Sequence, residues 1–84
     1  MDPHELRPAD ERILEYLGNN PPEYIPLIAN RLGMPNGYAK RRCELLIDRG
    51  LMEPVTNEAI YRLTDRGARV LAGEKGAVRA ADDA

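Results

Sequence analysis

Cys43 and His4 are the one thiol and the one imidazole of this 84-residue chain. A Cys–His nucleophilic pair needs a third group to orient the base, and no such group is in view. One cysteine and one histidine cannot complete a zinc site, and a single cysteine cannot form an internal disulfide. The sequence holds no glycine-rich phosphate loop and no HExxH pair. The expectation is a protein that is not an enzyme and needs no cofactor or metal. A different chemistry is available between Asn36 and Arg42, where Asn36, Gly37, Tyr38, Lys40, Arg41 and Arg42 crowd one short stretch. An amide, a phenol and several cations so close together suit hydrogen bonding to base edges and to phosphate oxygens.

Those residues need a scaffold, and the chain is long enough for one small domain. Apolar residues make up 43% and charged residues 31%, the balance of a folded chain rather than a disordered one. The net charge of −2 excludes a strongly basic, histone-like protein. A local patch matters more than the total, however. Residues 1–23 carry Asp2, Glu5, Asp10, Glu11, Glu15 and Glu23 against Arg7 and Arg12. Residues 24–50 reverse the sign, with Arg31, Lys40, Arg41, Arg42 and Arg49 against Glu44 and Asp48. No apolar run approaches the roughly 18 residues of a membrane span. The first residues lack the basic and apolar regions of a signal peptide, so a cytoplasmic protein is expected. Ten of the twelve basic residues are Arg, and Phe and Trp are absent, a bias compatible with a GC-rich, salt-adapted genome.

The elements follow from spacing. Residues 1–8 contain two prolines and no period, and read as an arm; 9–72 form the domain; 73–84 read as a disordered tail. Ile13, Leu14 and Leu17 share one helical face, with acidic residues at the helix start and Gly18-Asn19-Asn20 at its end. Pro21-Pro22 makes an extended connector. Pro26 suits the first turn of a second helix, whose apolar stripe is Ile25, Ile28, Ala29 and Leu32, with Gly33 as a left-handed cap. After a tight turn, Asn36 is placed to cap a third helix that carries Ala39, Cys43 and Leu46 inward and stops at Gly50. Residues 51–55 and 60–63 read as a hairpin, Pro54 marking an edge strand. Thr64 caps a last helix with Leu63, Ala68 and Leu71 inward. This order, helix-helix-helix-hairpin-helix, is mainly α with a small β-hairpin, the arrangement of a winged helix-turn-helix; periodicity alone leaves it one option among several small α+β folds.

Two segments make the pattern specific. Tyr38 to Leu51 is similar to the third helix of a MarR-like winged helix, closing on Leu46 and Gly50-Leu51. Tyr61-Arg62-Leu63-Thr64-Asp65-Arg66-Gly67 is similar to the close of the wing in that superfamily. With Ala9 to Leu17 added, residues 8–72 resemble the small haloarchaeal winged-helix proteins related to the repressor of the halophage phi-H. The resemblance implies a DNA-binding transcriptional regulator, and the expected mode of action is repression by blocking promoter access.

On that reading Asn36, Gly37, Tyr38, Lys40 and Arg41 meet duplex DNA in the major groove, while Arg62 and Arg66 reach flanking phosphates. Arg42 borders the apolar stripe and is expected to brace the first helix through Glu11 or Glu15. Cys43, on the core face, reads as inert packing rather than a redox sensor. Tyr16, Tyr24, Leu45, Ile47 and Val70 have no assigned core partner, and this surplus leaves a homodimer open. No small-molecule ligand is indicated. The alternative is a winged helix used as a protein-interaction module without DNA, which the acidic first helix and a wing tip lacking Arg and Lys would suit.

Overall fold

The computed structural model describes residues 6–55, 57 and 59–73. The arm's residues 1–5, the tail's 74–84, and Thr56 and Glu58 of the wing tip lie outside the described residues. Helix α1 spans Pro8–Asn19, strand β1 Glu23–Tyr24, helix α2 Ile25–Leu32 and helix α3 Asn36–Asp48. Strands β2 (Met52–Pro54) and β3 (Ile60–Leu63) follow, and residues 65–73 form helix α4.

The amphipathic spacing seen in the sequence places the core. Ile13, Leu14 and Leu17 of α1 meet Ile28 of α2, Cys43 and Leu46 of α3, and Leu51 and Met52 beyond it, all buried. Gly33 (φ 69°) and Gly50 (φ 74°) are left-handed, as the ends of α2 and α3 require of a residue without Cβ. The Gly33 turn brings Met34 N–H to Ala29 O at 2.8 Å, setting the tight angle between α2 and α3. Arg12 of α1 donates to Leu32 O at 2.7 Å, a cation on the last carbonyls of α2 where the helix dipole favours it.

The sheet has three strands, not the two of a simple hairpin, in the antiparallel order β1-β3-β2. The connector after Pro21-Pro22 continues into β1, which pairs Glu23 with Tyr61 and Tyr24 with Ile60. Two residues show no period of their own, so only the partner strand reveals β1. Strand β2 is an edge with Pro54 opposite Tyr61, so its missing N–H interrupts no inner ladder.

Two local expectations shift by one residue. The N-cap of α3 is Pro35, and Asn36 is already helical, with no side-chain cap; Pro35 has its φ preset and lacks only an N–H that needs no partner there. In α4 it is Gly67, not Ala68, that turns inward, while Ala68 is exposed. A Cβ on Gly67 would overlap the Leu51 carbonyl oxygen, so the absent side chain lets α4 lie against the chain leaving α3. Thr64 holds this junction: its Oγ1 accepts from Gly67 N–H at 2.9 Å and donates to Gly50 O at 2.7 Å. Tyr16, Ile47 and Val70 find partners after all, each packing against the core, because α1 and α3 are flanked by β1 and α4. Leu45 is half-buried, and Tyr24 stays 43% exposed.

Candidate nucleic-acid interface

Helix α3 turns Ala39, Cys43 and Leu46 to the core. Its exposed positions are therefore Asn36, Gly37, Lys40, Arg41, Glu44 and Asp48. The charges on this face are divided along the axis. The N-terminal half presents an amide, a glycine and two cations; the C-terminal half presents two carboxylates. The first turn has no acidic residue and the last turn no basic one, although Arg49 follows as the C-cap. In α1, by contrast, Asp10 and Glu11 occupy the first turn, the placement that the helix dipole rewards by about 0.3–1 kcal/mol per charge. The positive end of α3 has no such compensation.

Tyr38 is half-buried, and the Arg41 guanidinium carbon stands 5.9 Å from its ring centroid. That cation–π contact holds Arg41 along the N-terminal half of the helix. Among the described residues neither Lys40 nor Arg41 meets a carboxylate. Gly37 needs no unusual backbone: the nearest atom to a Cβ placed there is Arg41 Nη1 at 3.8 Å. Asn36 and Lys40 also line a cleft of about 370 Å³ with Tyr24, Ile25, Pro26, Ala59 and Tyr61. The cleft joins the start of α3 to the start of α2 and to the wing. Tyr24 and Tyr61 were not apparent as site residues, since the pairing of β1 with β3 is what carries them there.

The two flanking arginines sit elsewhere. Arg62 donates through Nε and Nη2 to Glu53 Oε2 at 2.8 and 2.7 Å across the hairpin, with both side chains largely in solvent. Arg66 lies beside Gly50, Asp48 and Arg49, at the opposite end of α3 from Asn36. Thirteen helical residues put about 18 Å between those ends.

Arg42 does brace α1, but through Asp10 rather than Glu11 or Glu15. Its Nε and Nη2 donate to Asp10 Oδ1 and Oδ2 at 2.7 and 2.6 Å, and Asp10 is fully buried. Hydrogen bonding to Asp10 raises the Arg42 pKa against the opposing effect of burial. Position 10 lies in the first turn of α1, and it is this carboxylate that the centre of α3 reaches. Cys43 is fully buried; burial first, then the charges of Asp10 and Glu44, push its thiol from 9.0 up to about 12. It is packing, not a reactive thiolate.

Three packed helices, a tight turn before an outward-facing third helix and a β-wing define a winged helix-turn-helix DNA-binding domain. Residues 4–78 match the model of the winged helix-turn-helix phage repressor family, and the chain belongs to that family. It is 37% identical to the repressor protein of Halobacterium phage phiH, over 82% of each chain. It is also 32% identical to an uncharacterised HTH-type transcriptional regulator of Pyrococcus horikoshii, over 77% of this chain and 43% of that one. Among solved structures it is similar to the transcriptional repressor CouR bound to p-coumaroyl-CoA (TM-score 0.79, 32% identity, 92% of this chain and 56% of CouR). A MarR-family regulator, SP03579, superimposes with TM-score 0.76 at 28% identity over 89% of this chain and 53% of that one. The chain thus spans about half the length of these two structures. It is a DNA-binding transcriptional regulator of the repressor type. Among the described residues no helix is long and apolar enough to cross a membrane.

Proposed function

We propose that this protein represses transcription in the cytoplasm by inserting the N-terminal half of α3 into the major groove, without catalysis, metal or cofactor. The observation that carries the reading is the division of charge along the exposed face of α3. Asn36, Gly37, Tyr38, Lys40 and Arg41 offer donors and cations at the helix's positive end, which together attract a polyanion. Glu44 and Asp48 confine that contact to the first two turns. Asn36 is suited to adenine, and Arg41 to guanine O6 and N7. Arg62 would have to exchange Glu53 for a phosphate. Arg66 would meet DNA only at a site remote from the helix start. A homodimer would present two such helices to two half-sites.

The test is fluorescence anisotropy with a duplex enriched by the protein from a randomised library, across a salt series. Four or five cationic contacts would give a shallow dependence, about −0.9 in log affinity per phosphate contact for each decade of salt. Arg41→Ala should leave the melting transition within about 0.5 kcal/mol. It should weaken the enriched duplex by about 1–3 kcal/mol while sparing a scrambled one. Folded protein that binds neither duplex at low salt would leave the protein-interaction reading in its place.

A further inference from the structure

We infer that the Asp10–Arg42 pair is the positioning device of the DNA-reading helix: it fixes the rotation and axial register of α3 against α1, and so determines sequence discrimination without touching DNA. The inference rests on the proposed placement of α3 in the major groove.

The side chains that α3 otherwise turns toward the body of the domain, Ala39, Cys43, Leu46 and Ile47, are apolar and lie in or against an apolar core. Such contacts resist separation but are non-directional. The turns at Gly33 and Gly50 tether the two ends of α3, and between them the apolar contacts supply no directional constraint on its rotation. A bidentate arginine–carboxylate fork is directional in both distance and plane. Here it joins the first turn of α1 to the centre of α3, across 32 residues of sequence. The carboxylate is itself fixed, since Asp10 Oδ2 also accepts the Arg7 N–H at 2.9 Å and Asp10 lies in the first turn of its helix. Asp10 is the one fully buried charged residue among the described residues. An apolar pair of similar volume would often serve stability equally well, so the directional constraint distinguishes what the charges add. Arg42 follows Lys40 and Arg41 directly, so a rotation of α3 about its axis moves the proposed base contacts and the clamp together.

The pair can be replaced without changing net charge. The double variant Asp10→Leu/Arg42→Met exchanges it for apolar side chains, and Arg42→Lys keeps the cation while losing the planar fork. Anisotropy is read with the enriched duplex and with a scrambled duplex, well below each variant's melting transition. Both variants should bind the enriched duplex about 3- to 30-fold more weakly, bind the scrambled duplex as the wild type does, and keep the wild-type salt slope. An unchanged affinity for the enriched duplex overturns the inference. So does an equal loss on both duplexes, or a slope shallower by about 0.9 in the double variant, which would make Arg42 a direct phosphate contact. If the double variant does not fold, Arg42→Lys decides by the same criteria. Failure of the wild type to bind removes the proposed function and this inference together; binding by the wild type with unaltered variants removes the inference alone.

Discussion

Two arginine–carboxylate pairs among the described residues have nearly the same length, 2.6 Å between Arg42 and Asp10 and 2.7 Å between Arg62 and Glu53. One lies between two helices, with side chains 15% and 0% exposed. The other lies across the wing, at 56% and 43%. Distance alone would rank them equal. In water, the Coulomb gain of the wing pair is small and offset by the entropy of holding two long side chains together. Between α1 and α3 the same contact has displaced water from the carboxylate, so loss of either partner leaves a charge with no substitute. The wing pair joins strands that the β2–β3 ladder already holds in register; the helix pair joins elements held otherwise by apolar contacts. The difference explains why the wing can release Arg62 from Glu53 more readily than α3 can release Arg42 from Asp10.

The largest expected effect is that of Asp10→Ala. Removing one partner of a buried pair costs about 3–5 kcal/mol, and the slight exposure of Arg42 puts this case near the lower figure. At about 4–8 °C per kcal/mol for a domain of this size, the melting temperature should fall by more than about 10 °C. A drop of only a degree or two in a thermal melt would mean that the buried and exposed pairs are equivalent after all.

Cys43 sharpens the comparison from the neighbouring position. Its thiol is held protonated in the fold, near 12 against 9.0 ordinarily. A group whose pKa is raised in the folded state contributes stability that is fully present below its unfolded pKa. That contribution is lost as the pH rises above about 9 toward 12. Melts in this alkaline window should therefore slope downward, and Cys43→Ala should flatten the slope at a constant cost of about 1 kcal/mol. At neutral pH a thiol reagent should modify the protein only in denaturant; rapid native modification would contradict the burial.

Arg62→Ala should change stability least, by under about 1 kcal/mol, with the difference shrinking as salt is added. A melt shifted as far as that of Asp10→Ala would show that the wing pair holds the sheet.

Much of this was legible in the residues themselves. The apolar spacing in α1, α2 and α3, the glycine caps at Gly33 and Gly50, the edge position of Pro54 and the burial of Cys43 each depend on a few neighbouring residues. A helix's period assigns its inward face, and a left-handed residue without a Cβ favours glycine, whatever surrounds it. The exposure of Asn36, Gly37, Lys40 and Arg41 was legible for the same reason, as the complement of Ala39, Cys43 and Leu46. Tertiary structure decided what depends on how elements cross. Asp10, and not Glu11 or Glu15, meets Arg42 because the approach of α1 to α3 selects one of three nearby carboxylates. Glu23-Tyr24 becomes a strand only because β3 runs alongside. Gly67 replaces Ala68 as the inward residue because α4 presses on the Leu51 carbonyl, and Arg62 is engaged by Glu53 through the hairpin's register. Local periodicity determines which way a side chain faces; only the angles and offsets between elements determine what it finds there.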